Sequence, residues 1–427
     1  MIMHAPRHRT LSPEKAAIFH KIEDMMPELE KIYLDLHKHP ELSMQEVRTA
    51  GIAAAWMRKY GYEVHEQVGK TGVVALLKNG DGPVILLRAD MDGLPVKEKT
   101  GLDYASAETG VDRFGQAVSI MHACGHDFHV TWLMAVGRLL SEARDTWKGT
   151  VMAVFQPAEE TSQGARAMLE DGMVKRFPKP TVSLGQHVVP LPAGRIGYKT
   201  GVAMSAADSW EVKLFGRGAH GSKPQNSIDP VVMAASTVMR LQTVVSREVA
   251  MADSAVVTVG TLQSGFNENV IPDEALLRLN VRTFKENVRS RVLASIKRII
   301  DAEAQASGAP KPPEYSVISQ FPLTVNDEAA TLRTVEGIAA FFGPEKVMTV
   351  EPASGSEDFG LFGTAWNVPS VFWVIGGTDP ELFARAQSGD DPSIMPVNHS
   401  PFYAPLLHPT LRTGVEAMLA AAYAWLD

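Results

Sequence analysis

The 427-residue sequence predicts an α/β fold in which a mixed sheet is flanked by helices and a ferredoxin-like α+β module is inserted. Three observations predict it. Short, wholly apolar runs bounded by turn residues recur as "GVVALL", "PVILLRA", "TVMAVFQ", "TVSLGQ" and "PSVFWVI", the pattern of strands buried on both faces. Helical stretches such as "VTWLMAVGRLLSEA" fall between them. Between about residues 204 and 319 the texture changes to alternating strands and amphipathic helices in the order βαββαβ, that of a ferredoxin-like module.

Taken in order, an N-terminal tail read as loose precedes "ELEKIYLDLHKHPEL" and "EVRTAGIAAAWMRKYGYEV", both with helical periodicity. The second ends at Gly61, a residue that tolerates the left-handed cap. The first buried strands follow. The inserted module comprises the strand "SWEVKLFG", the helix "PVVMAASTVMRLQTVVS", the strands "AVVTVGTLQSG" and "EALLRLNVRTF", the helix "VRSRVLASIKRIIDAEAQASG" and the strand "PEYSVIS". Buried strands resume at Pro369, and "AMLAAAYAWL" reads as a terminal amphipathic helix. The predicted domains are therefore 1–203 with 320–427, and 204–319.

Bulk composition limits the function. A formal charge of -8, from 41 basic and 49 acidic residues, argues against a nucleic-acid surface, which needs a basic stripe to displace phosphate counterions. No apolar run approaches the roughly 18 residues of a membrane span. The single cysteine forms no intrachain disulfide, and the N-terminus lacks the apolar core of a secretory signal, so the expected location is the cytoplasm.

Reactive side chains collect where strands end. "VILLRA" leads to Asp90 and Asp92, "TVMAVFQPA" to Glu159 and Glu160, and "TVSLGQ" to His187. Open α/β sheets bind ligands beyond the carboxyl ends of their strands, which would bring these residues together. Cys124 and His126, in "MHACGHD", read as a strand-to-loop segment at the same edge. Thiolate, imidazole and carboxylate donors suit zinc, manganese or cobalt, and such a set can hold two divalent ions. Of two adjacent carboxylates, one can bind metal while the other takes a proton from water. "MPVNHSP" places His399 in a Pro-flanked loop, and "SGSEDF" is a polar turn able to offer backbone donors. In the inserted module, "GRGAHGSKP" sets His220 between glycines and "FNENVIPDEA" places Asn269 before a strand.

"RADMDGLP", "MHACGHD", "QPAEE", "GRGAHGS", "NVIP" and "NHSP", in that order, resemble the metal-dependent amidohydrolases of peptidase family M20, in the subfamily of N-acyl-amino-acid, hippurate and auxin-conjugate hydrolases. The resemblance runs from about residue 30 to the C-terminus. It implies a zinc-peptidase-like catalytic domain interrupted by a lid and dimerisation domain. It also implies two divalent ions, with Cys124 bridging them, His126 and His187 completing one and Glu160 and His399 the other. Glu159 would be the general base, and Asp90 the aspartate that orients the site. His220 would stabilise the oxyanion, while Asn269 and Arg282 would hold the substrate.

The substrate would be a small-molecule amide, and the lid's edge strand would suit a homodimer or higher homo-oligomer. A dipeptidase or aminopeptidase of the same fold, and a metal-binding protein without catalysis, are the competing readings. Phe128 replaces the small residue that usually follows "CGHD", and Gly93 replaces an alanine. Phe128 is expected to narrow or redirect the substrate pocket.

Overall fold

A computed structural model describes residues 12–389 and 392–426. By contact the chain divides into two compact units. One runs to Ala203 and takes up Val325–Glu351 and the chain from Asp358 onwards; the other is Met204–Thr324 with Pro352–Glu357.

The first unit is built on an eight-stranded mixed sheet. Its strand order is Glu63–Val68, Gly72–Asn79, Gly149–Gln156, Val84–Asp90, Val182–Pro192, Ser370–Thr378, Ile196–Tyr198 and Val347–Thr349. The four strands from Gly149–Gln156 to Ser370–Thr378 run parallel. These are the runs with almost no polar alternation, and nearly all their side chains are buried. Helices supply the cover: Pro13–Lys38, His126–Glu142 and Leu407–Tyr423 pack on one another, the latter two also on the sheet. Two buried polar tips are paired across this layer, Trp56 Nε1 donating to Met134 O at 2.7 Å and Tyr62 Oη to Gly137 O at 2.9 Å.

Several expectations need correction. Residues 1–11 of the tail read as loose lie outside the described residues, but from Pro13 the chain is already helical, with Ser12 as N-cap accepting from Lys15 N. The C-terminal helix is buried almost all round and is not amphipathic. Cys124 and His126 follow the short strand Ala117–Ser119 of a two-stranded ribbon, not a strand of the main sheet, and sit at the entry to the helix His126–Glu142. Gly125, between them, has φ +81, and a Cβ there would fall 2.3 Å from Val188 Cγ1. Only glycine makes that turn. Phe128 is fully buried, with its ring centroid 4.3 Å from Tyr33 and 5.7 Å from Trp132. It fills the core under the helix, because its position on the first turn points it away from the motif loop.

The second unit is a four-stranded antiparallel sheet in the order Ala255–Ser264, Glu274–Thr283, Ala206–Phe215, Glu314–Phe321. The helices Pro230–Thr243 and Glu286–Ala306 bury their apolar stripes on it. Among the described residues no helix is long and apolar enough to cross a membrane.

Candidate metal centre

The centre forms in the first unit, where the loops carrying Asp92, Cys124, Glu159 with Glu160, and His399 meet the strand carrying His187. The turn after Gly149–Gln156 carries Glu159 and Glu160. Ala158 and Ser162 both take left-handed φ there, +48 and +55, an uncommon conformation for residues with a side chain. The turn closes because Gln163 and Gly164 donate to Ala158 O and Ser162 donates to Glu159 O. A Cβ on Gly164 would lie 1.5 Å from Pro157 O, so glycine is obligatory there too. Glu46, buried, accepts from Ala158 N at 2.8 Å and Thr71 Oγ1 at 2.6 Å. Burial, followed by the charge of Asp92, raises Glu46 to about 7.

Asp92 holds the two glutamates in place. Its Oδ1 accepts from Glu159 N and its Oδ2 from Glu160 N, each at 3.1 Å, and Ser43 Oγ donates to Oδ2 at 2.6 Å. Asp92 Oδ1 also stands 3.3 Å from His126 Nδ1. Asp90 lies deeper. Its Oδ2 pairs with Arg88 at 2.8 Å and stands 3.4 Å from His126 Nε2, while its Oδ1 takes the Nδ1 proton of His129 at 2.5 Å. Burial would raise the Asp90 carboxyl, but Arg88, His126 and His129 hold it well below the usual range. Thus the residue touching both glutamates is Asp92, two positions beyond the one singled out from sequence. The pattern "RADMD" contained it: residues two apart in an extended segment share a face.

The donor atoms converge. Cys124 Sγ lies 3.5 Å from His187 Nε2, and His399 Nε2 lies 3.3 Å from Glu160 Oε2. Atoms of Cys124, Glu160 and His399 fall within 4.8 Å of one another, as do those of His126, Glu159 and Glu160, and those of Asp90, His126, His129 and His187. His129 is nonetheless no ligand. Val188 N donates to its Nε2 at 2.9 Å and its Nδ1 is bonded to Asp90, so both nitrogens are committed. His187 is the opposite case. It gives its Nδ1 proton to Val188 O at 2.7 Å, and burial, with His129 nearby, holds it well below its ordinary value. Its Nε2 lone pair is therefore available on the side of the thiol.

Donor chemistry fits a divalent cation. Both ring nitrogens of His126 and Oε1 of Glu160 are buried without a hydrogen-bond partner, a cost that ligation removes. Burial opposes a charge on His126, yet Asp90, Asp92 and Glu160 raise it to about 10. Burial and the carboxylates of Glu160, Glu159 and Asp90 push the Cys124 thiol well above its ordinary value. The carboxylates that add to burial in keeping the thiol un-ionised would favour a cation bound among them.

The remaining candidates lie in the second unit. His220 and Asn269 are neighbours on a two-stranded ribbon, where His220 pairs with Val270 and Gly221 N donates to Asn269 O at 2.7 Å. Ser222 N and Oγ both lie against His220 Nδ1, at 3.1 and 2.8 Å. Arg282 is on the main sheet of that unit, its guanidinium donating to Ser354 O at 2.7 Å and Asn280 Oδ1 at 3.1 Å. The "SGSEDF" turn thus offers Arg282 a backbone acceptor, whereas donors were expected.

A buried imidazole sequence reasoning passed over ties the first helix to the first turn of the helix His126–Glu142. His37 Nδ1 is 2.7 Å from Asp127 Oδ2 and Nε2 is 3.2 Å from Glu98 Oε1. Burial lowers its pKa, but the hydrogen bonds to Asp127 and Glu98 outweigh that and raise it to about 9. A raised value means the stabilisation, a few kcal/mol, is fully present below about pH 6.5 and is lost as pH climbs through about 9. His37→Gln is expected to flatten the fall in Tm between pH 7 and 9.5. An alkaline slope unchanged from wild type would show that the imidazolium plays no part.

Comparison with known proteins follows the same lines. Residues 86–399 match the profile of the family described as Peptidase family M20/M25/M40. The chain is 39% identical over 350 residues to the N-acetylcysteine deacetylase of Bacillus subtilis, covering 81% of this chain and 87% of that one. To the hippurate hydrolase of Campylobacter jejuni it is 38% identical over 345 residues, 80% of this chain and 86% of the relative. Among solved structures, a dinuclear metal binding peptidase from the M20 family of Bacillus subtilis aligns with a TM-score of 0.69 and 31% identity, covering 96% of this chain and 100% of that one.

Proposed function

The chain belongs to peptidase family M20/M25/M40, and from that premise we propose that it hydrolyses the amide bond of N-acyl amino acids, releasing a carboxylic acid and an amino acid. The observation that carries this reading is the pair Glu159 and Glu160, hung side by side from Asp92, with Glu160 among the donors Cys124 and His399. It supports a division of labour between a ligand and a base.

We assign two divalent ions to the site. Cys124, His126 and His187 would hold one, and Cys124, Glu160 and His399 the other. When bound, the ions supply Lewis acidity that polarises the scissile carbonyl and makes a water acidic enough to ionise near neutral pH. Glu159 takes the proton of the attacking water on its carboxylate and passes it to the departing amide nitrogen. Asp92 fixes the backbone from which that carboxylate extends. His220, with Ser222 N donating to its Nδ1, carries its own proton on Nε2 and is a donor suited to an oxyanion. Asn269 and Arg282 are assigned to the substrate.

The unit Met204–Thr324 is proposed as the lid, and its sheet-edge strand Ala255–Ser264 as the surface on which a second copy docks. A thiol ligand requires a compartment that keeps it reduced, which supports a cytoplasmic location.

The test is amine release from N-acetyl and N-benzoyl amino acids and from unblocked dipeptides, with zinc, manganese or cobalt supplied in turn. Cleavage confined to blocked substrates and abolished by chelator is expected. Turnover of free dipeptides alone would replace the amidohydrolase with a peptidase, and a metal-loaded protein inert on every member would end the enzymatic reading of this substrate class.

A further inference from the structure

Asn398, next to a proposed ligand, has a side chain the chemistry above does not use. Its Nδ2 lies 3.6 Å from Cys124 Sγ, 3.4 Å from Cys124 O and 3.3 Å from Val188 O. The orientation of an amide is set by its neighbours. Here two of the three are carbonyl oxygens, so a flipped amide would face acceptor with acceptor; the NH2 group must point inward.

Delivery of that group is fixed by the backbone. Residues 397–400 form a turn closed by Ser400 N on Val397 O at 3.0 Å. His399 takes a left-handed φ of +72, and its N–H donates to Ala123 O at 2.8 Å. That bond docks the turn against the loop carrying Cys124. Two side chains lie within hydrogen-bond reach of the sulfur, the amide Nδ2 of Asn398 at 3.6 Å and His187 Nε2 at 3.5 Å; the imidazole presents a lone pair there, so the amide is the one of the two that can donate.

We propose that Asn398 is a positioning residue that donates a side-chain N–H to the Cys124 thiolate and so damps the sulfur's electron donation to the ions it holds. This rests on reading Cys124 as a ligand. A thiolate is a strong donor, and an undamped one reduces the electrophilic character for which the ions are needed. An N–H···S bond in a dry site draws density from sulfur and fixes its position at once.

Absorption of the protein loaded with Co(II) alone tests it without reference to turnover. Wild type is expected to show a thiolate-to-cobalt charge-transfer band in the near ultraviolet. In Asn398→Leu that band moves to longer wavelength, because a sulfur richer in electrons gives them up at lower energy. Co(II) affinity, read by chelator competition, falls about 10-fold. Val397→Ala, in the same turn but without a donor, leaves the band where it was. Asn398→Ala repeats the measurement should leucine crowd the turn. A band unmoved in both Asn398 variants overturns the proposal while leaving Cys124 a ligand. Absence of any charge-transfer band in cobalt-loaded wild type removes Cys124 from the ligand set, and the proposal with it.

Discussion

Glu159→Gln is expected to lower kcat on an N-acyl amino acid by about 100- to 10,000-fold, the usual worth of a positioned general base, with metal content unchanged. Glutamine matches the side chain in shape and keeps the backbone bond from residue 159 to Asp92, so the turn survives. What goes is the capacity to accept a proton. Glu159 is 5% exposed, so bulk water substitutes for it poorly. The competing role is real, because its carboxylate lies within reach of His126 and Glu160. If metal content falls together with kcat, Glu159 is a ligand and the base lies elsewhere. If kcat falls less than about 10-fold, no base is needed at this position. KM should move little, since the lost interaction is made as the water ionises.

Cys124→Ser is expected to weaken metal binding by more than about 100-fold, exceeding what a supporting residue around a metal contributes. A serine hydroxyl does not ionise as a coordinated thiol does. In wild type, stability should rise with added metal by about 2.7 kcal/mol at 100 times Kd, visible as a higher Tm, and that rise should vanish in the variant. Binding should also strengthen with pH: the environment resists forming the thiolate, so ligation must displace its proton. A cysteine that merely fills space behaves otherwise. It would cost about 1–3 kcal/mol of basal stability on conversion to serine, with the metal response intact.

Much of this was legible in the chain. The five continuous apolar runs are the parallel strands and their antiparallel neighbour, because a strand covered by helices on both faces has no reason to alternate. The order βαββαβ marks the inserted module, where alternation returns with a half-exposed sheet. Motifs around Cys124, Glu159 and His399 were visible as donor types in order. Asp92 was visible but unassigned, since nothing in "RADMDGLP" says which aspartate faces Arg88 and which faces the glutamates. His37 and Glu46 gave no signal, because their partners lie 90 residues away at Asp127 and 112 away at Ala158. Phe128 was misjudged: adjacency to a motif in sequence is not adjacency to its pocket when a helix begins between them.

The sequence by itself therefore determined the element types, the interruption of one fold by another and the chemical identity of the donors, since these depend on local pattern and residue type. Only the tertiary structure decided which of those donors are available. His129 and His187 are both buried imidazoles in one group of side chains, yet one has both nitrogens spent and the other keeps a lone pair beside Cys124. The physical reason is that availability depends on partners from distant segments: both nitrogens of His129 are spent on Asp90 and Val188, 39 and 59 residues away, whereas the adjacent Val188 carbonyl sets the tautomer of His187 and only the fold brings Cys124, 63 residues away, to the lone pair that remains.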